Sequence, residues 1–220
     1  MSRFCLIPAR GGSKRIKNKN IKLFHGKPII SYAILNAKKS GLFDKVFVST
    51  DSSKIAKIAK EFGATVPFLR PKNISNDKTI DDSVRNHFLE YCKGRFQIKY
   101  LCYLYPCTPL LKIETLKKSF QFIAKKKYEK LLSICRYTSH IQRALEKNKN
   151  NEVKYKYMKY QHYRSQKLKD YYYDAGQFYW YNYNKNIIKK TAGYEINKFE
   201  GIDINTLEDF NLASKIFRKV

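Results

Sequence analysis

Residues 6–20 read Leu6-Ile7-Pro8-Ala9-Arg10-Gly11-Gly12-Ser13-Lys14-Arg15-Ile16-Lys17-Asn18-Lys19-Asn20, the end of an apolar, strand-like run over 4–7 and the loop behind it. The loop holds two glycines, a serine and five cationic side chains. Glycine lets the backbone approach an anion with its N–H groups turned inward. Arg10 can bind phosphate oxygens bidentately, whereas Lys14 and Lys19 act as point charges. The loop indicates a polyphosphate site, although an ordinary basic glycine turn explains the composition equally well.

Length and composition predict one substantial domain over 1–220. The chain has 220 residues, of which 43% are hydrophobic, enough for a buried core. No apolar run reaches the ~20 residues that span a bilayer, and Pro8 with the basic loop interrupts any signal-peptide core. The five cysteines are scattered without a C-x-x-C pair, which argues against a disulfide framework or a zinc site. We expect a cytoplasmic protein without membrane contact, and reduced, buried cysteines.

The formal net charge of +27 raises the question of a polyanionic partner. A basic patch is typical of nucleic-acid-binding proteins, but the lysines here are spread through nearly every segment. No RNA-binding or helix-turn-helix motif stands out. Solvated surface charge is the favoured interpretation, and no nucleic-acid partner is expected; a real polyanion partner is the alternative. A polyphosphate substrate would in either case be attracted by such a field.

Strand-like and helix-like segments alternate along the chain. Runs of β-branched and aromatic residues predict strands over 4–7, 45–49, 65–69, 100–105, 130–135 and 174–183. Apolar residues at helical spacing predict helices over 28–40, 53–62, 80–91 and 113–124, and a last helix from Leu207 with Thr206 as its N-cap. This alternation predicts an α/β fold with a mostly parallel sheet and helices on both faces.

The turns behind the first four strands are expected to meet at one cleft. Ligands of open parallel sheets lie beyond the carboxyl ends of the strands. Each of these strands leads into a polar turn that carries Gly, Pro, Asp or Ser: 10–20, 50–51, 70–71 and 105–109. The basic loop would therefore form one wall of a larger site.

The alternation stops between 137 and 170. This segment is rich in Lys, Asn and Tyr and poor in aliphatic residues, so no core helix is expected there. We interpret it as an inserted excursion, either a hairpin or an arm that packs on a partner subunit. Tyrosines at 155, 157, 160 and 163 alternate with lysines and would also suit base stacking, but the arm is favoured.

With these turns aligned, the chain resembles the CMP-acylneuraminate (sialic acid) synthetase family of cytidylyltransferases over almost its whole length. The resemblance is carried by Ile7-Pro8-Ala9-Arg10-Gly11-Gly12-Ser13-Lys14 with Lys19-Asn20, Val48-Ser49-Thr50-Asp51, Leu69-Arg70-Pro71, Ser75-Asn76-Asp77 and Ile202-Asp203-Ile204-Asn205-Thr206-Leu207-Glu208-Asp209. It implies a Rossmann-like sheet of the nucleotide-diphospho-sugar transferase type with a small dimerisation excursion.

Two segments resemble the pseudaminic acid branch of that family: Tyr163-Arg164-Ser165-Gln166-Lys167-Leu168 and Tyr173-Asp174-Ala175-Gly176-Gln177-Phe178-Tyr179-Trp180. The sialic acid branch has Asn-Gly-Ala in place of Asp-Ala-Gly. The resemblance implies that CTP and pseudaminic acid, an acidic nine-carbon sugar, give CMP-sugar and pyrophosphate by in-line attack of the anomeric hydroxyl on the α-phosphorus. It also implies Mg²⁺ as cofactor and a homodimer whose arm reaches the neighbouring sugar site.

The resemblance also implies roles for individual residues. The nucleotide-binding residues would be Ala9, Arg10, Gly11, Gly12, Ser13, Lys14, Lys19, Asn20, Arg70 and Asp77. The sugar-binding residues would be Tyr105, Arg164, Gln166, Tyr173, Asp174 and Gln177. Asp203 and Asn205 would be the metal ligands, and catalysis would rest on Arg10, Lys14, Lys19 and Asp203.

The chain departs from the family pattern at two of these positions. The usual Leu-Gln-Pro-Thr-Ser-Pro-Leu appears as Leu104-Tyr105-Pro106-Cys107-Thr108-Pro109-Leu110, so a tyrosine replaces the glutamine near the sugar. The second metal aspartate is Asn205, whose carbonyl can ligate a hard cation but adds no charge. Asp203 is the firmer ligand, and the effect of Asn205 on Mg²⁺ affinity and activity is left open.

Other interpretations stay open as well. The sugar could be legionaminic, sialic or 3-deoxy-manno-octulosonic acid, or the chain could be a non-catalytic, basic nucleotide- or nucleic-acid-binding protein. Asp203 could be only the neighbour of a helix cap, Arg70 a solvated strand end and Asp174 a turn former. The four histidines show no pairing that indicates a base or a metal site.

Overall fold

The computed structural model of the chain describes residues 2–218. The strands are β1 (Ser2–Pro8), β2 (Leu23–Phe24), β3 (Lys27–Pro28), β4 (Lys45–Ser49), β5 (Ile98–Leu104), β6 (Tyr128–Arg136), β7 (Leu145–Lys147), β8 (Val153–Tyr155), β9 (Tyr172–Asn182) and β10 (Ile188–Glu195). The helices are α1 (Ile30–Lys39), α2 (Ser53–Glu61), α3 (Asp81–Cys92), α4 (Ile113–Lys126) and α5 (Leu207–Phe217). Within this part of the chain, no helix is both long and apolar enough to cross a bilayer.

A six-stranded sheet forms the centre, with the strand order β10-β6-β9-β5-β1-β4. β1 pairs in parallel with β4 and β5, and β10 pairs in parallel with β6. β9 runs antiparallel to both β5 and β6. The prediction of a mostly parallel α/β sheet is confirmed, and the carboxyl ends of β1, β4 and β5 share one edge.

Alternate residues of the central strands pack against helices on opposite faces, as the two-residue period of a strand requires. In β1, Cys5 and Ile7 belong to one core together with residues of α1, α2 and α4. Phe4 and Leu6 belong to a second core together with residues of α3. The sheet is therefore covered on both faces, and the site must lie at its edge.

The five cysteines are all free and buried, which confirms the expectation for them. Cys5 and Cys102 are direct neighbours in the register between β1 and β5. Burial raises the pKa of the Cys102 thiol well above its usual value. These thiols therefore behave as small core side chains.

The predicted strand over 65–69 is wrong. Only isolated bridges form at Thr65 and Leu69, because Pro67 lies between them and has no N–H for a ladder hydrogen bond. The chain still follows β4, since the N–H of Arg70 donates to Thr50 O at 2.7 Å. Arg70 thus reaches the same sheet edge as the basic loop.

Two elements were not predicted. β10 reads Ile-Lys-Lys-Thr-Ala-Gly-Tyr-Glu and lies at the sheet edge with its lysines exposed, so it lacks the apolar pattern of a strand. The short β2–β3 hairpin turns at His25 and Gly26, which both have positive φ. Two such residues form the tight turn that suits a hairpin.

The excursion, residues 137–170, contains an antiparallel hairpin of β7 and β8. The N–H of Tyr137 donates to Tyr171 O at 2.9 Å, and Gln142 Nε2 donates to Lys169 O at 2.9 Å, which ties the base of the excursion to the start of β9. Several of its apolar side chains are exposed: Ile141, Leu145, Val153, Met158 and Tyr163. The hairpin is one of the two expected forms, and contact with a partner subunit stays a prediction.

Candidate active site

A cleft with a volume of about 260 Å³ lies at the carboxyl edge of β1 and β5. Eleven predicted residues from five separated segments line it: Arg10, Ser13, Lys14, Lys19, Asn20, Arg70, Asp77, Tyr105, Gln177, Asp203 and Asn205. Three of the four turns that were expected to meet there do so. The fourth turn, at 50–51, does not line the cleft but contacts the basic loop.

The basic loop is shaped by contacts with the end of β4. The N–H of the buried Ala9 donates to Ser49 O at 2.9 Å, and the N–H of Gly11 donates to Asp51 Oδ1 at 2.8 Å. A Cβ at Gly11 would come within 3.1 Å of the Ser52 side chain, so the close approach favours glycine. The Gly11 amide, expected to face a phosphate, is thus engaged by Asp51.

Three cationic side chains of the loop have defined partners. Lys19 Nζ donates to the carbonyl of Ile204 at 2.8 Å, which joins the loop to the segment before α5. Arg10 Nη1 lies 2.6 Å from Asp77 Oδ1, and Lys14 Nζ lies 2.5 Å from Asp77 Oδ2. The hydrogen bond from Lys14 lowers the pKa of the Asp77 carboxyl most; burial opposes it, and Arg10 lowers the pKa further. Asp77 is therefore ionised and paired with two of the expected phosphate-binding cations.

Asn20 forms the floor of the cleft and is buried. Its Nδ2 donates to Arg10 O at 2.9 Å, and its Oδ1 accepts from Cys107 Sγ at 3.3 Å. Burial raises the pKa of the Cys107 thiol to about 12, so the thiol keeps its proton and can donate. Cys107, in the loop after β5, thus orients the Asn20 side chain, and Asn20 holds the backbone of the basic loop at Arg10.

Arg70 lines the cleft and is only 5% exposed. The alternative that Arg70 is a solvated strand end is therefore wrong. Its Nε donates to Ser75 Oγ at 3.1 Å. Burial lowers the pKa of the guanidinium, while nearby Tyr103, Asp51 and Asp81 act in the opposite direction. A buried cation beside carboxylates is well suited to a polar ligand.

Asp203 and Asn205 face the cleft ahead of α5. The Asn205 amide donates to Asp203 Oδ2, and its Oδ1 accepts from Arg15 Nη2 at 2.7 Å. Thr206 caps α5 as predicted, in a capping box with Asp209. Residues 2–218 contain no group of three or more His, Cys, Asp and Glu side chains that could hold a metal ion. Asp203 and Asn205 together thus offer the cleft one carboxylate and an amide that is already engaged.

The predicted sugar-binding residues divide into two sets. Gln177 is 2% exposed and lines the cleft, and its Oε1 has no hydrogen-bond partner among residues 2–218. Asp174 is exposed and accepts from the Gly176 N–H at 3.0 Å and from Tyr179 Oη at 2.7 Å, so it does form the turn considered from the sequence. Tyr173 packs on Tyr137.

Arg164 and Gln166 belong to the second set. Both are exposed and lie on the excursion, where 165–167 form a short 3₁₀ turn. The cleft lining, as residues 2–218 form it, does not include Arg164, Gln166, Tyr173 or Asp174. A single chain therefore brings the nucleotide-side residues together and leaves this part of the expected sugar site apart.

A family model described as cytidylyltransferase matches residues 4–216. The chain belongs to the cytidylyltransferase family. A pseudaminic acid cytidylyltransferase of Campylobacter jejuni serotype O:2 is 36% identical over 225 residues, covering 99% of this chain and 97% of that protein. A CMP-N,N′-diacetyllegionaminic acid synthase of Legionella pneumophila is 34% identical over 53% of this chain and 50% of that protein.

The fold is shared with a solved structure. A CMP:2-keto-3-deoxy-manno-octonic acid synthetase complexed with CTP superposes with a TM-score of 0.71 at 14% identity, covering 100% of this chain and 99% of that chain. The resemblance stated from the motifs and the predicted fold class are both confirmed by these similarities.

Sequence reasoning missed Asp81 at this cytidylyltransferase cleft. The Asp81 carboxylate accepts from Tyr103 Oη at 2.8 Å and from Tyr105 Oη. Tyr105 also packs edge-on against Tyr179. The available signal was Asp81 at the start of a predicted helix that follows a cleft-lining turn. Its carboxylate explains how a tyrosine is accommodated where the family has a glutamine.

Proposed function

We propose that this chain joins CTP to pseudaminic acid and releases pyrophosphate. The observation that carries the proposal is identity of 36% and 35%, over 99% of this chain, to two relatives named pseudaminic acid cytidylyltransferase. The cleft supports it, because Arg10, Lys14, Lys19 and Asp203 all line it. That arrangement suits a ligand with several negative charges and a polar partner.

The reaction requires positioning and charge neutralisation more than covalent participation by the protein. The anomeric hydroxyl oxygen forms a bond to the α-phosphorus as the bond to the β-phosphate oxygen breaks, and the hydroxyl proton is released. Arg10, Lys14, Lys19 and the amide of Gly12 would hold the triphosphate, whereas the Ser13 N–H already donates to Gly11 O at 3.0 Å. Ala9, Gly11, Asn20 and Arg70 would shape the nucleoside end.

Asp203 suits Mg²⁺ because this ion is usually held by one or two carboxylates together with substrate phosphate oxygens. Asn205 would be only a secondary contact of the ion, because its amide oxygen already accepts a hydrogen bond from Arg15. Mg²⁺ bound there would neutralise phosphate charge in the transition state. We propose Asp203 as the main ligand and Asn205 as the position that tunes the affinity.

For the sugar, the inner contacts would come from Tyr105 and Gln177. The Gln177 Oε1 acceptor is buried without a partner, and a hydroxyl or amide N–H of the sugar would satisfy it. Arg164, Gln166, Tyr173 and Asp174 would bind the carboxylate and N-acyl groups. Since Arg164 and Gln166 are exposed away from the cleft, we propose a homodimer in which they reach the neighbouring chain's sugar.

A substrate panel tests this proposal. Pyrophosphate release is measured with CTP and each of pseudaminic, legionaminic, sialic and 3-deoxy-manno-octulosonic acid, with UTP and ATP as nucleotide controls. We expect preference for CTP and pseudaminic acid, in a reaction that we assign to the cytoplasm. Preference for another acidic sugar would replace the substrate and keep the reaction. No turnover at any Mg²⁺ concentration, combined with salt-dependent RNA binding, would point to a non-catalytic polyanion-binding protein.

A further inference from the structure

The Asp77 carboxylate occupies the place where a phosphate would be expected. Its two oxygens are divided between two cations, with Oδ1 at 2.6 Å from Arg10 Nη1 and Oδ2 at 2.5 Å from Lys14 Nζ. All three residues line the cleft. These are two of the three cations to which the proposed reaction assigns the triphosphate and the departing pyrophosphate.

The turn that carries Asp77 is held by its own hydrogen bonds. Ser75 Oγ donates to Pro71 O at 2.8 Å and accepts from Arg70 Nε at 3.1 Å. On the other side, Asn76 Nδ2 donates to Asn73 O at 3.1 Å. Since these contacts do not involve the Asp77 side chain, the turn presents the carboxylate to the cations without needing them for its shape.

We propose that Asp77 is an internal counter-ion that holds Arg10 and Lys14 in place and competes with pyrophosphate for them, so that it promotes pyrophosphate release. The inference rests on the proposed function. A tethered carboxylate acts at a high effective concentration, so any ligand that needs both cations must displace it. A nucleoside monophosphate, which lacks the β- and γ-phosphates, has less need of these two cations. Asp77 is thus a positioning residue within the nucleotide site.

The charge state supports this competition. The hydrogen bond from Lys14, with the further contribution of Arg10, holds the pKa of the Asp77 carboxyl below its usual value against the opposing effect of burial. The pairing therefore contributes stability above the pKa that the Asp77 carboxyl has in the unfolded chain. This contribution is lost as the pH falls through the lower pKa of the carboxyl in the folded chain. At neutral pH the carboxylate is fully charged, so the competition operates under the conditions of the reaction.

Binding of inorganic pyrophosphate and of CMP, measured by calorimetry with and without Mg²⁺, tests the proposal. Asp77→Asn removes the charge and keeps the shape. We expect it to bind pyrophosphate about three- to tenfold more tightly, since each exposed ion pair contributes modestly, while CMP binding stays unchanged. Asp77→Glu keeps the charge and is expected to stay within about twofold of the wild type. The matched control is Asp82→Asn, whose carboxylate pairs with Arg85 at 3.0 Å on the exposed start of α3.

Weaker pyrophosphate binding by Asp77→Asn would overturn the proposal, because it would make the carboxylate a direct ligand or a metal contact. An equal gain in pyrophosphate affinity in Asp82→Asn would also overturn the proposal, because the effect would then come from net charge alone. If the wild type turns over no acidic sugar with CTP but Asp77→Asn still binds pyrophosphate more tightly, the counter-ion stands and only the proposed reaction fails. The two ideas are thus tested separately.

Discussion

The cleft and the excursion of this chain differ in how their functional residues are held. In the cleft, Asn20, Arg70 and Gln177 are buried, and each side chain donates at least one hydrogen bond. On the excursion, Arg164 and Gln166 are exposed on a short 3₁₀ turn. The proposed nucleotide side is therefore built within one chain, whereas the proposed sugar-binding residues of the excursion lie outside the cleft that this chain forms.

The largest expected effect concerns the scaffold under the cleft. Leu131 in β6 is fully buried in the core shared with α1 and α4, so Leu131→Ala should lower the free energy of unfolding by about 2–5 kcal/mol. Leu145→Ala on the excursion, where the side chain is 53% exposed, should change it by less than about 0.5 kcal/mol. Urea unfolding at two protein concentrations measures both. A large, concentration-dependent loss in Leu145→Ala would show that a partner covers the excursion.

The next largest effect is a loss of activity without a loss of stability, at a charged residue of the cleft. Asp203 is exposed and lies outside the hydrophobic cores, so Asp203→Ala should leave the melting temperature nearly unchanged. Pyrophosphate release with CTP and the sugar should fall about 10²- to 10³-fold, the usual loss when a preorganised electrostatic group is removed. Glu208→Ala, an exposed carboxylate on the first turn of α5, is the matched control. Normal turnover of Asp203→Ala would remove the metal assignment.

The sequence predicted some elements of the fold and missed others. Strands β1 and β4 and the helices were predictable because their apolar residues repeat with the period of each element. The 65–69 strand failed because Pro67 interrupts pairing that the β-branched residues around it favour. β10 was missed because an edge strand with exposed lysines has no apolar face to detect.

The sequence predicted the location of several cleft residues, and their roles stay predictions. Arg10, Lys19 and Asp203 are in the cleft, as cations and a carboxylate behind strand ends should be. Asp81 was missed because its role comes from two tyrosine hydroxyls that only the folded β5 brings near it. The Asp77 pairing was equally invisible, since the spacing along the chain does not reveal which of several nearby cations a carboxylate will contact.

The excursion provides a smaller effect on the sugar alone. Arg164→Ala should lower kcat/KM for the acidic sugar about 10- to 100-fold, as expected for a lost hydrogen bond to a charged group, while the KM for CTP stays unchanged. Lys167→Ala, an exposed cation on the same 3₁₀ turn, should be neutral. Mixing Arg164→Ala with Asp203→Ala should restore activity if the arm works in the neighbouring cleft. Equal loss for CTP and sugar would contradict that division of the site.

The smallest expected effect lies at Asn205, where the chain departs from its family. Asn205→Asp keeps an acceptor for Arg15 but replaces the amide that donates to Asp203. Two adjacent carboxylates repel each other until a cation neutralises them. We therefore expect the Mg²⁺ concentration for half-maximal turnover to fall about three- to tenfold, and the melting temperature to become more dependent on Mg²⁺.

The control for this comparison is Asn211→Asp, which adds the same charge on the exposed surface of α5. Its Mg²⁺ titration and melting temperature should match those of the wild type. If Asn205→Asp shows no gain in Mg²⁺ dependence by either measurement, position 205 does not contact the metal. Arg15 would then be the relevant partner of Asn205, and this part of the cleft would serve to hold the basic loop against the segment that carries Asp203.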